Sequence, residues 1–446
     1  MGTSLRTRFL SAAFLLSALH TALAEIDAGP FQDYSSVLVI DTFPTAWQND
    51  LGAWHGAEEG MQAEFGPGYV SLYASQSEQI FHTKVAPTCR DMSEFAGMYL
   101  HIAFEGTTQF TISLQQHNEA CDQGVSPAPE TWDSIEAARY ARGNDIYIPI
   151  WHFNIDLSRT VAVSFHGFYT QESLRLYKVE ITASLPWDFY VPDKLPSGTV
   201  VLKCRRPNSF AFGIDDGKPK YAREVMDILE EEGVKVTFFA VGNGLVDPFA
   251  PFQQVYREMS ERGHQIALHS YSHPRLESLQ TKEEIDYQFT ENMRVLRETL
   301  GLESKYFRPP YGVVGARTRQ SFAALVDDPY IVNWSVDIED WLWAESKTPR
   351  KQVDAFRRDL NKGGDLAVLH FLNRSTVRYL RDVINLVRQA GKDIMRVDQC
   401  MYDPDAPPIE WAWMRPGNGT QRIGHQNSTI GRNMTAVKEK RWHRDL

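Results

Sequence analysis

The pattern of hydrophobic and polar positions changes near residue 195 of the 446-residue chain. Before that point, short runs of β-branched and aromatic residues are separated by Gly, Pro, Asn and Asp, which is typical of all-β domains. The runs that predict strands are residues 37–40, 68–73, 97–104, 110–114, 145–150, 161–165 and 174–181. We therefore expect residues 25–195 to form a β-sandwich-like domain, with a carbohydrate-binding or spacer role.

The second half of the chain alternates between strands and helices. A strand at residues 210–212 precedes a helix at 221–232, where apolar residues recur at helical spacing. Gly233 ends that helix before a second strand at 234–241, and the same order recurs twice over residues 252–307. Because this alternation produces parallel strands, we expect an open sheet or a barrel in a second domain at residues 196–402.

Both ends of the chain differ from these domains. Arg6 and Arg8 precede an apolar stretch at 9–19, and residues 22–24 read Ala-Leu-Ala, a small-x-small cleavage site. The pattern predicts a secretory signal peptide over residues 1–24, the alternative being an apolar N-terminal helix. Residues 403–446 are rich in Pro and then in Gly and Asn, which favours a flexible tail.

The composition narrows the functional classes. The net charge of −11 and the 43% of hydrophobic residues fit a soluble protein and argue against a general nucleic-acid binder. No segment after the N-terminal stretch approaches the roughly 18–20 apolar residues of a membrane span. Secretion exposes cysteines to oxidation, and we favour the pairs Cys89–Cys121 and Cys204–Cys400 because each stays within one predicted domain.

Two sets of residues, four tryptophans and five Asn-x-Ser/Thr triplets, each allow more than one interpretation. One set of residues forms either a sugar-stacking platform or ordinary aromatic core and rim: Trp47, Trp54, Trp132 and Trp151. The other set consists of Asn-x-Ser/Thr triplets at Asn333, Asn373, Asn418, Asn427 and Asn433. We expect Asn333 to stay bare in its apolar run, whereas the three in the polar tail suit glycosylation of a secreted protein.

Polar or charged residues follow five of the predicted strands. They are Asp215 and Asp216 after 210–212, His269 after 265–268, Arg308 after 306–307, Asp340 and Trp341 shortly after 332–336, and His370 after 366–369. In parallel α/β architectures the carboxyl ends of the strands meet at one edge, where reactive residues gather. These residues are therefore expected to form one site.

The aspartates and histidines have the chemistry of a metal site. His269 and His273 face one point if their turn is helical, and one aspartate completes a two-histidine, one-carboxylate set suited to zinc or a similar metal. Adjacent residues of an extended segment point in opposite directions, so one of Asp215 and Asp216 binds the metal while the other remains a base beside an arginine. Each motif alone is equally compatible with a solvated turn or ordinary histidines, but together they predict metal-assisted hydrolysis.

The segment from Phe210 to about Val397 resembles the NodB-homology polysaccharide deacetylases of carbohydrate esterase family 4. The family motifs Thr-Phe-Asp-Asp-Gly, His-Ser/Thr-x-x-His, Arg-x-Pro-Tyr, Asp-Trp and apolar-Leu-x-His correspond to residues 213–217, 269–273, 308–311, 340–341 and 367–370. The motifs are specific as a set, and they leave the N-terminal region uncovered. The resemblance implies a distorted (β/α) barrel with fewer than eight strands.

The resemblance also implies a role for each matching residue. Asp216, His269 and His273 would bind the metal, most plausibly Zn²⁺, and Asp215 would be the general base that activates water. His370 would be the general acid, with Arg308 orienting the base and Asp340 tuning the acid. The backbone N–H of Tyr311 would help to hold the oxyanion, and Trp341 and Val368 would bound the acetyl group.

This sequence departs from the family motifs at several positions. Gly213 and Ile214 replace Thr-Phe before the base, and Val368 replaces a larger Leu. Phe371 follows the predicted acid, where Asp is usual, which raises the question of what sets the pKa of His370. Asp337 is a rival for the role of Asp340, and adjacency to Trp341 favours Asp340.

The leading hypothesis is a secreted, extracellular or cell-wall hydrolase that removes N-acetyl groups from N-acetylglucosamine polymers such as chitin. A second hypothesis keeps the chemistry and replaces the substrate with O-acetylated xylan. A third is a wall-carbohydrate-binding protein without turnover. The expected partner is an acetylated polysaccharide, with no nucleic acid and no membrane span.

Overall fold

The structure is a computed structural model, and it describes residues 36–409. The predicted signal peptide, most of the predicted tail and the sequons at Asn418, Asn427 and Asn433 lie outside these residues. The described chain as far as Pro407 belongs to one compact unit. The β-rich region and the α/β region are therefore described together.

The N-terminal region consists of antiparallel strands in two sheets. Its elements are β1 Ser36–Asp41, β2 His55–Glu58, β3 Gln62–Gly66, β4 Tyr69–Tyr73, β5 Ile80–Lys84, β6 Tyr99–Gly106, β7 Thr111–Gln116, β8 Thr131–Glu136, α1 Ala137–Tyr140, β9 Ala141–Arg142, β10 Asp145–Pro149, β11 Thr160–His166 and β12 Leu174–Thr182. One sheet has the order β3-β4-β12-β6-β10-β9 with β1 also paired to β12, and the other has the order β2-β5-β11-β7-β8. A hydrophobic cluster that includes Phe81, Ile102, Leu114 and Phe165 is shared by strands of both sheets.

The sequence pattern located only part of this region. Each predicted run lies on an observed strand, but β2, β3, β5, β8 and the two-residue β9 were missed. These strands are short and carry polar residues on both faces, as in His55-Gly56-Ala57-Glu58 of β2. A pattern based on apolar alternation does not detect such strands, because the polar face here is buried against protein.

The second half forms one parallel sheet with helices packed against it. Its elements are β13 Thr199–Val201, β14 Ser209–Gly217, α2 Pro219–Glu231, β15 Thr237–Ala240, α3 Gly242–Leu245, α4 Phe252–Glu261, β16 Gln265–Leu268, α5 Lys282–Leu300, β17 Tyr306–Phe307, α6 Ala316–Ala323, β18 Tyr330–Val332, β19 Val336–Asp337, α7 Asp340–Trp343, α8 Lys351–Asn361, β20 Leu366–Phe371, α9 Arg374–Gln389, β21 Asp393–Met395 and α10 Val397–Cys400. The strand order is β13-β18-β17-β16-β15-β14-β20-β19, with β21 paired to β14.

The predicted fold class, a distorted (β/α) barrel preceded by an all-β region, is confirmed. The expectation of fewer than eight strands is wrong, because the parallel sheet has 9 strands. The difference comes from short pieces of two or three residues at its margins, such as β13, β19 and β21. Such pieces add backbone pairing without adding a hydrophobic run that a sequence pattern detects.

Local signals explain the longest helix of the barrel. The side chain of Thr281 accepts a hydrogen bond from the Glu284 backbone N–H, and the Glu284 carboxylate accepts one from the Thr281 backbone N–H, which forms a capping box at the start of α5. Gly301 ends the helix in the left-handed conformation, at φ 70°. Ile285 and Phe289 face the core from this helix, where Phe289 contacts Phe307 of β17.

Both predicted disulfides are present. Cys89 pairs with Cys121 in the β-rich region, and Cys204 pairs with Cys400 across 196 residues of the barrel region. Asn333 is buried, with 9% of its surface exposed. Among residues 36–409, no helix is both long and apolar enough for a membrane span.

Candidate active site and metal centre

A cavity of about 950 Å³ lies at the carboxyl ends of the barrel strands. It is lined by nine of the ten site residues predicted from the sequence: Asp215, Asp216, His269, His273, Tyr311, Asp340, Trp341, Val368 and His370. The tenth, Arg308, is fully buried directly behind Asp215. The structure therefore brings the whole predicted set to one place.

A bulge in β14 directs both adjacent aspartates into this cavity. The pairing of β14 with β20 is regular up to Asp215 opposite His370 and then shifts, so that Gly217 lies opposite Phe371. Asp216 is the extra residue and has φ +36°, outside the extended region. The bulge interrupts the alternation that would otherwise send Asp215 and Asp216 to opposite faces.

Asp216, His269 and His273 form the candidate metal centre. Each offers a ligand atom, and these atoms lie within 4.8 Å of one another. The Oδ2 atom of Asp216 is 3.2 Å from Nε2 of His273. The sequence expectation that a helical turn aligns the histidines is wrong, because residues 269–273 form a loop with φ +62° at both Ser270 and His273.

The protonation states in this cluster suit a divalent cation. Burial raises the pKa of Asp216, but the hydrogen bond from His273 and the neighbouring imidazoles outweigh it and lower that pKa to about 2. Burial lowers the pKa of His269, which keeps its ring neutral. Nδ1 of His269 donates to the Arg308 carbonyl at 2.7 Å, so Nε2 carries the lone pair. One carboxylate and two imidazoles form a donor set that fits zinc.

Asp215 is held by a buried arginine. Nη1 of Arg308 donates to Oδ1 of Asp215 at 2.8 Å, and its other N–H groups donate to the carbonyls of Val332, Asn333 and Ala367. Burial lowers the pKa of Arg308, with the Asp215 carboxylate opposing the change. Since its guanidinium is surrounded by acceptors, Arg308 holds Asp215 in place and stabilises its charge.

The Gly213 departure has a structural reason. A Cβ atom built at Gly213 would lie 2.4 Å from Nη1 and 2.4 Å from Nη2 of Arg308. Glycine therefore provides the space in which the guanidinium packs against β14. The adjacent Ile214 is buried in the barrel core.

His370 and Asp340 form the candidate acid pair. Asp340 accepts two hydrogen bonds of 2.8 Å, one from the backbone N–H of His370 and one from its Nδ1. Burial lowers the pKa of His370, but the Asp340 carboxylate, with Asp215 and Asp216, outweighs it and raises that pKa to about 9. The ring is therefore protonated at neutral pH.

The geometry answers two questions that the sequence left open, on the effect of Phe371 and on the role of Asp337. Phe371 points away from His370 into the core, where it contacts Phe238, so the pKa of His370 is set by Asp340 rather than by the following residue. Asp337 lines the cavity, and its Oδ1 accepts from the Glu339 N–H at 2.6 Å. Burial raises the pKa of Asp337 to about 6, and within residues 36–409 its carboxylate makes no hydrogen bond to His370.

The remaining predicted residues, Tyr311, Trp341 and Val368, line the walls of the cavity. Tyr311 is in the left-handed region at φ +62°, and its ring packs edge-on against His273 with centroids 4.9 Å apart. Trp341 is 72% exposed at the rim, whereas Val368 is buried at the base of the cavity. Arg275, which was not predicted, lies over the Tyr311 ring at 3.9 Å.

The second wall of the cavity comes from the β-rich region, and of its residues the sequence had indicated only Trp132, as a possible sugar-stacking residue. Its contributors include Glu58, Glu78, His82, Ser113, Gln115, Trp132 and His166. The four tryptophans do not form one platform: Trp132 lines the cavity and Trp54 packs near His82, while Trp151 packs against Tyr99 of the other sheet. The contacts between the β-rich region and the barrel could not be predicted from the sequence of either region alone.

The comparisons with known proteins agree with this geometry. A polysaccharide deacetylase family model matches residues 203–326. A chitin deacetylase of Pestalotiopsis sp is 30% identical over 213 residues, which cover 48% of this chain and 70% of that protein. Chitin deacetylase 1 of Cryptococcus neoformans is 35% identical over 133 residues, covering 30% of this chain and 27% of that protein. The matched segments thus span 70% of the first of these relatives and 27% of the second.

A solved structure is also similar. The chitin deacetylase of Colletotrichum lindemuthianum has 25% sequence identity and a TM-score of 0.44, and the match covers 47% of this chain and 95% of that one. A peptidoglycan-N-acetylglucosamine deacetylase, PgdA of Listeria monocytogenes, is 28% identical over 213 residues, 47% of this chain and 42% of that protein.

Proposed function

The chain belongs to the polysaccharide deacetylases, the NodB-type hydrolases of carbohydrate esterase family 4, and from that premise we propose that it removes N-acetyl groups from chitin-like N-acetylglucosamine polymers. The observation that carries the proposal is the separation of roles within the aspartate pair. Asp216 offers an oxygen within 4.8 Å of ligand atoms of both His269 and His273, while Asp215 accepts from Arg308 at 2.8 Å and is proposed as the base. Relatives named chitin deacetylase support the choice of substrate class.

The proposed chemistry begins with the metal centre. Asp216, His269 and His273 would hold zinc, because one ionised carboxylate and two imidazoles match its preferences. The chemistry supplied by such a cation is that of a Lewis acid, which polarises a carbonyl and makes water more acidic. Asp215 takes the proton from the attacking water, and Arg308 keeps that carboxylate oriented until it does so.

The proton needed by the leaving amine comes from His370. Asp215 and His370 are paired across β14 and β20, so the base and the acid stand side by side at the floor of the cavity. Asp340 keeps the His370 ring protonated before transfer by raising its pKa. The backbone N–H of Tyr311 stabilises the oxyanion, and Trp341 and Val368 bound the acetyl methyl.

The proposed setting is extracellular or at the cell wall. Two disulfides are typical of an oxidising compartment, and the N-terminal pattern Arg6, Arg8 and residues 9–24 predicts secretion. Such a setting brings the enzyme to an acetylated polysaccharide. Sequons in the tail suit glycosylation on the same route.

The proposal is tested by acetate release from N-acetylglucosamine oligomers and from acetylated xylan, before and after chelation and with zinc restored. We expect release from the glucosamine polymers, loss with chelator, and recovery with zinc. Acetate release from xylan alone would show that the substrate is O-acetylated xylan instead. No acetate release from either substrate with zinc bound would contradict a hydrolase function.

Variants separate the two aspartates. Asp216→Asn is expected to lose bound zinc, measured by elemental analysis of the dialysed protein. Asp215→Asn is expected to keep zinc and to lose roughly 10²–10⁴-fold in kcat, the usual contribution of a general base. Asp247→Asn, at an exposed position, serves as the matched control. Loss of zinc in Asp215→Asn with retention in Asp216→Asn would reverse the assignment.

A further inference from the structure

We propose that the outer face of the five-stranded sheet of the β-rich region is the second wall of the catalytic cleft and binds the sugar residue next to the one that is deacetylated. The inference takes its substrate class from the proposed function and adds a subsite that lies outside the barrel. Gln115 and His82 are its principal hydrogen-bonding residues. Both lie on the same cavity as Asp216 and His269.

Strand pairing shows that this wall is one continuous face. His82, Ser164, Ser113 and Ser134 are direct neighbours across β5, β11, β7 and β8. One step along the face, Ala162, Gln115 and Trp132 form a second row. Because side chains alternate along a strand, these residues share one side of the sheet, while Phe81, Phe165 and Leu114 face the core on the other.

The rows combine small residues with a few long polar ones. Ser113, Ala162 and Ser164 present short side chains in the middle of the sheet. Ser113 lines the 950 Å³ cavity, whereas Ala162 and Ser164 are buried in the sheet beside it. A site of this shape, with a few convergent polar groups, is typical of ligand binding.

Gln115 is the clearest sign that a ligand belongs here. It is 9% exposed, it lines the cavity, and within residues 36–409 its side-chain amide has no hydrogen-bond partner. Its amide atoms are open to the cavity rather than enclosed by protein, so a ligand in the cavity can bond to them. An amide offers both donors and an acceptor, which match sugar hydroxyl and acetamido groups.

His82 supplies a second oriented group. Its Nδ1 is 2.8 Å from Oγ of Ser164, and its Nε2 is 3.4 Å from Oε2 of Glu58. The nearby His166 is tied to Ser113 at 2.5 Å, and burial lowers the pKa of His166 to about 3, so its ring is neutral. Within the described chain, Ser113, Gln115 and the neutral His166 ring carry no charge at the centre of the wall, which suits an uncharged sugar better than an anionic ligand.

The wall is fixed relative to the metal centre. Nη2 of Arg319, from the barrel, lies 2.8 Å from Oδ1 of Asp133, and both side chains are almost fully buried. The backbone N–H of Ala316 donates to Oγ1 of Thr111, on the same face as Gln115. A subsite held by such contacts is already formed before substrate arrives, which lowers the ordering cost of binding.

The test measures binding apart from turnover. Calorimetric titration of the zinc-loaded, full-length protein in an Asp215→Asn background uses an N-acetylglucosamine pentamer and the free monosaccharide as probes. Gln115→Ala and the isosteric Gln115→Glu are each expected to weaken pentamer binding about tenfold and to shrink the advantage of pentamer over monosaccharide. Gln62→Ala, an exposed position on the other sheet, is the control and should leave both affinities unchanged.

The outcomes separate this inference from the proposed function. If oligomer binding depends on Gln115 but the wild-type protein releases no acetate, the subsite proposal is supported and the proposed deacetylase function is contradicted. Acetate release with a KM that is unaffected by both Gln115 variants would overturn the subsite and keep the activity. Gln115-dependent binding of acetylated xylo-oligomers alone would keep the wall and change the substrate class, whereas no binding of either probe would overturn it. Equal melting temperatures of the variants show that the fold is retained.

Discussion

Glu78 and Arg275 form an ion pair between the β-rich region and the barrel, with Nε of Arg275 3.0 Å from Oε1 of Glu78. The guanidinium of Arg275 lies 3.9 Å from the centre of the Tyr311 ring, and that ring packs against His273. A residue of the β-rich region is thereby linked to one proposed metal ligand and to the residue proposed to hold the oxyanion. The N-terminal region lines the candidate site together with the barrel.

Glu78→Gln is expected to lower kcat several-fold with little change in thermal stability. The pair is partly exposed, so its loss costs about 0–1 kcal/mol of folding free energy. Its effect on catalysis is larger because Arg275 is no longer held over Tyr311, and donors placed slightly wrongly stabilise an oxyanion poorly. Steady-state kinetics on N-acetylglucosamine oligomers measure the change.

Glu105→Gln is the matched control for this prediction. Glu105 pairs with Arg175 at 3.3 Å in the same region, but on exposed side chains away from the cavity. Its replacement should leave kcat unchanged. An equal kcat in the Glu78 and Glu105 variants would show that the ion pair has no influence on the site.

Gly213→Ala is expected to reduce activity at least tenfold and to destabilise the fold. The new Cβ would meet the guanidinium of Arg308 at 2.4 Å, and that group is locked by Asp215 and three backbone carbonyls. Displacing one partner of a buried pair costs on the order of 3 kcal/mol. Chemical denaturation and kcat measure the two effects.

Gly97→Ala provides the comparison, since a Cβ at Gly97 has no atom within 4 Å. It should leave both the free energy of unfolding and kcat near their wild-type values. If Gly213→Ala behaves in the same way, Arg308 has room that the structure does not show, and the explanation of this glycine fails.

The barrel and its reactive residues were predictable because they depend on local rules. Strand–helix alternation predicts parallel strands, and the carboxyl ends of those strands must meet. The assignment of Asp340 rather than Asp337 follows the same logic of motif adjacency, and the structure places Asp340 on His370. The two disulfides followed from keeping each pair inside one region.

What the sequence did not predict depends on backbone detail and on contacts between distant segments. The bulge at Asp216 and the loop that carries His273 replace the simple extended and helical geometries assumed from spacing. The cleft-facing strands β2, β5 and β8 were missed because their polar face is covered by the barrel. No periodic pattern records that Glu78 will meet Arg275, 197 residues away.

Removal of the Cys204–Cys400 disulfide is expected to destabilise the protein more than removal of Cys89–Cys121. In the chain-entropy model, the loops of 196 and 32 residues correspond to about 5 and about 4 kcal/mol, as upper values. Paired Cys→Ser variants compared by chemical denaturation measure the difference. A larger loss for Cys89–Cys121 would show that native-state contacts, rather than loop closure, dominate.

Asp340→Asn is expected to move the alkaline limit of kcat to lower pH. In the wild type the pKa of His370 is raised to about 9, so the protonated acid is lost only as the pH rises through that value. Without the carboxylate, burial dominates and the pKa of His370 falls toward or below the ordinary 6.5, so activity is lost nearer neutrality.

The raised pKa of His370 also gives the wild type extra folding stability, which is fully present below pH 6.5 and disappears between about pH 6.5 and 9. The melting temperature should therefore fall more steeply over this interval in the wild type than in Asp340→Asn.

Asp337→Asn is the control, since the Asp337 carboxylate accepts from the Glu339 N–H. The alkaline limit of kcat in this variant should stay near that of the wild type. A limit that moves with Asp337 and not with Asp340 would give the acid-tuning role to the other aspartate.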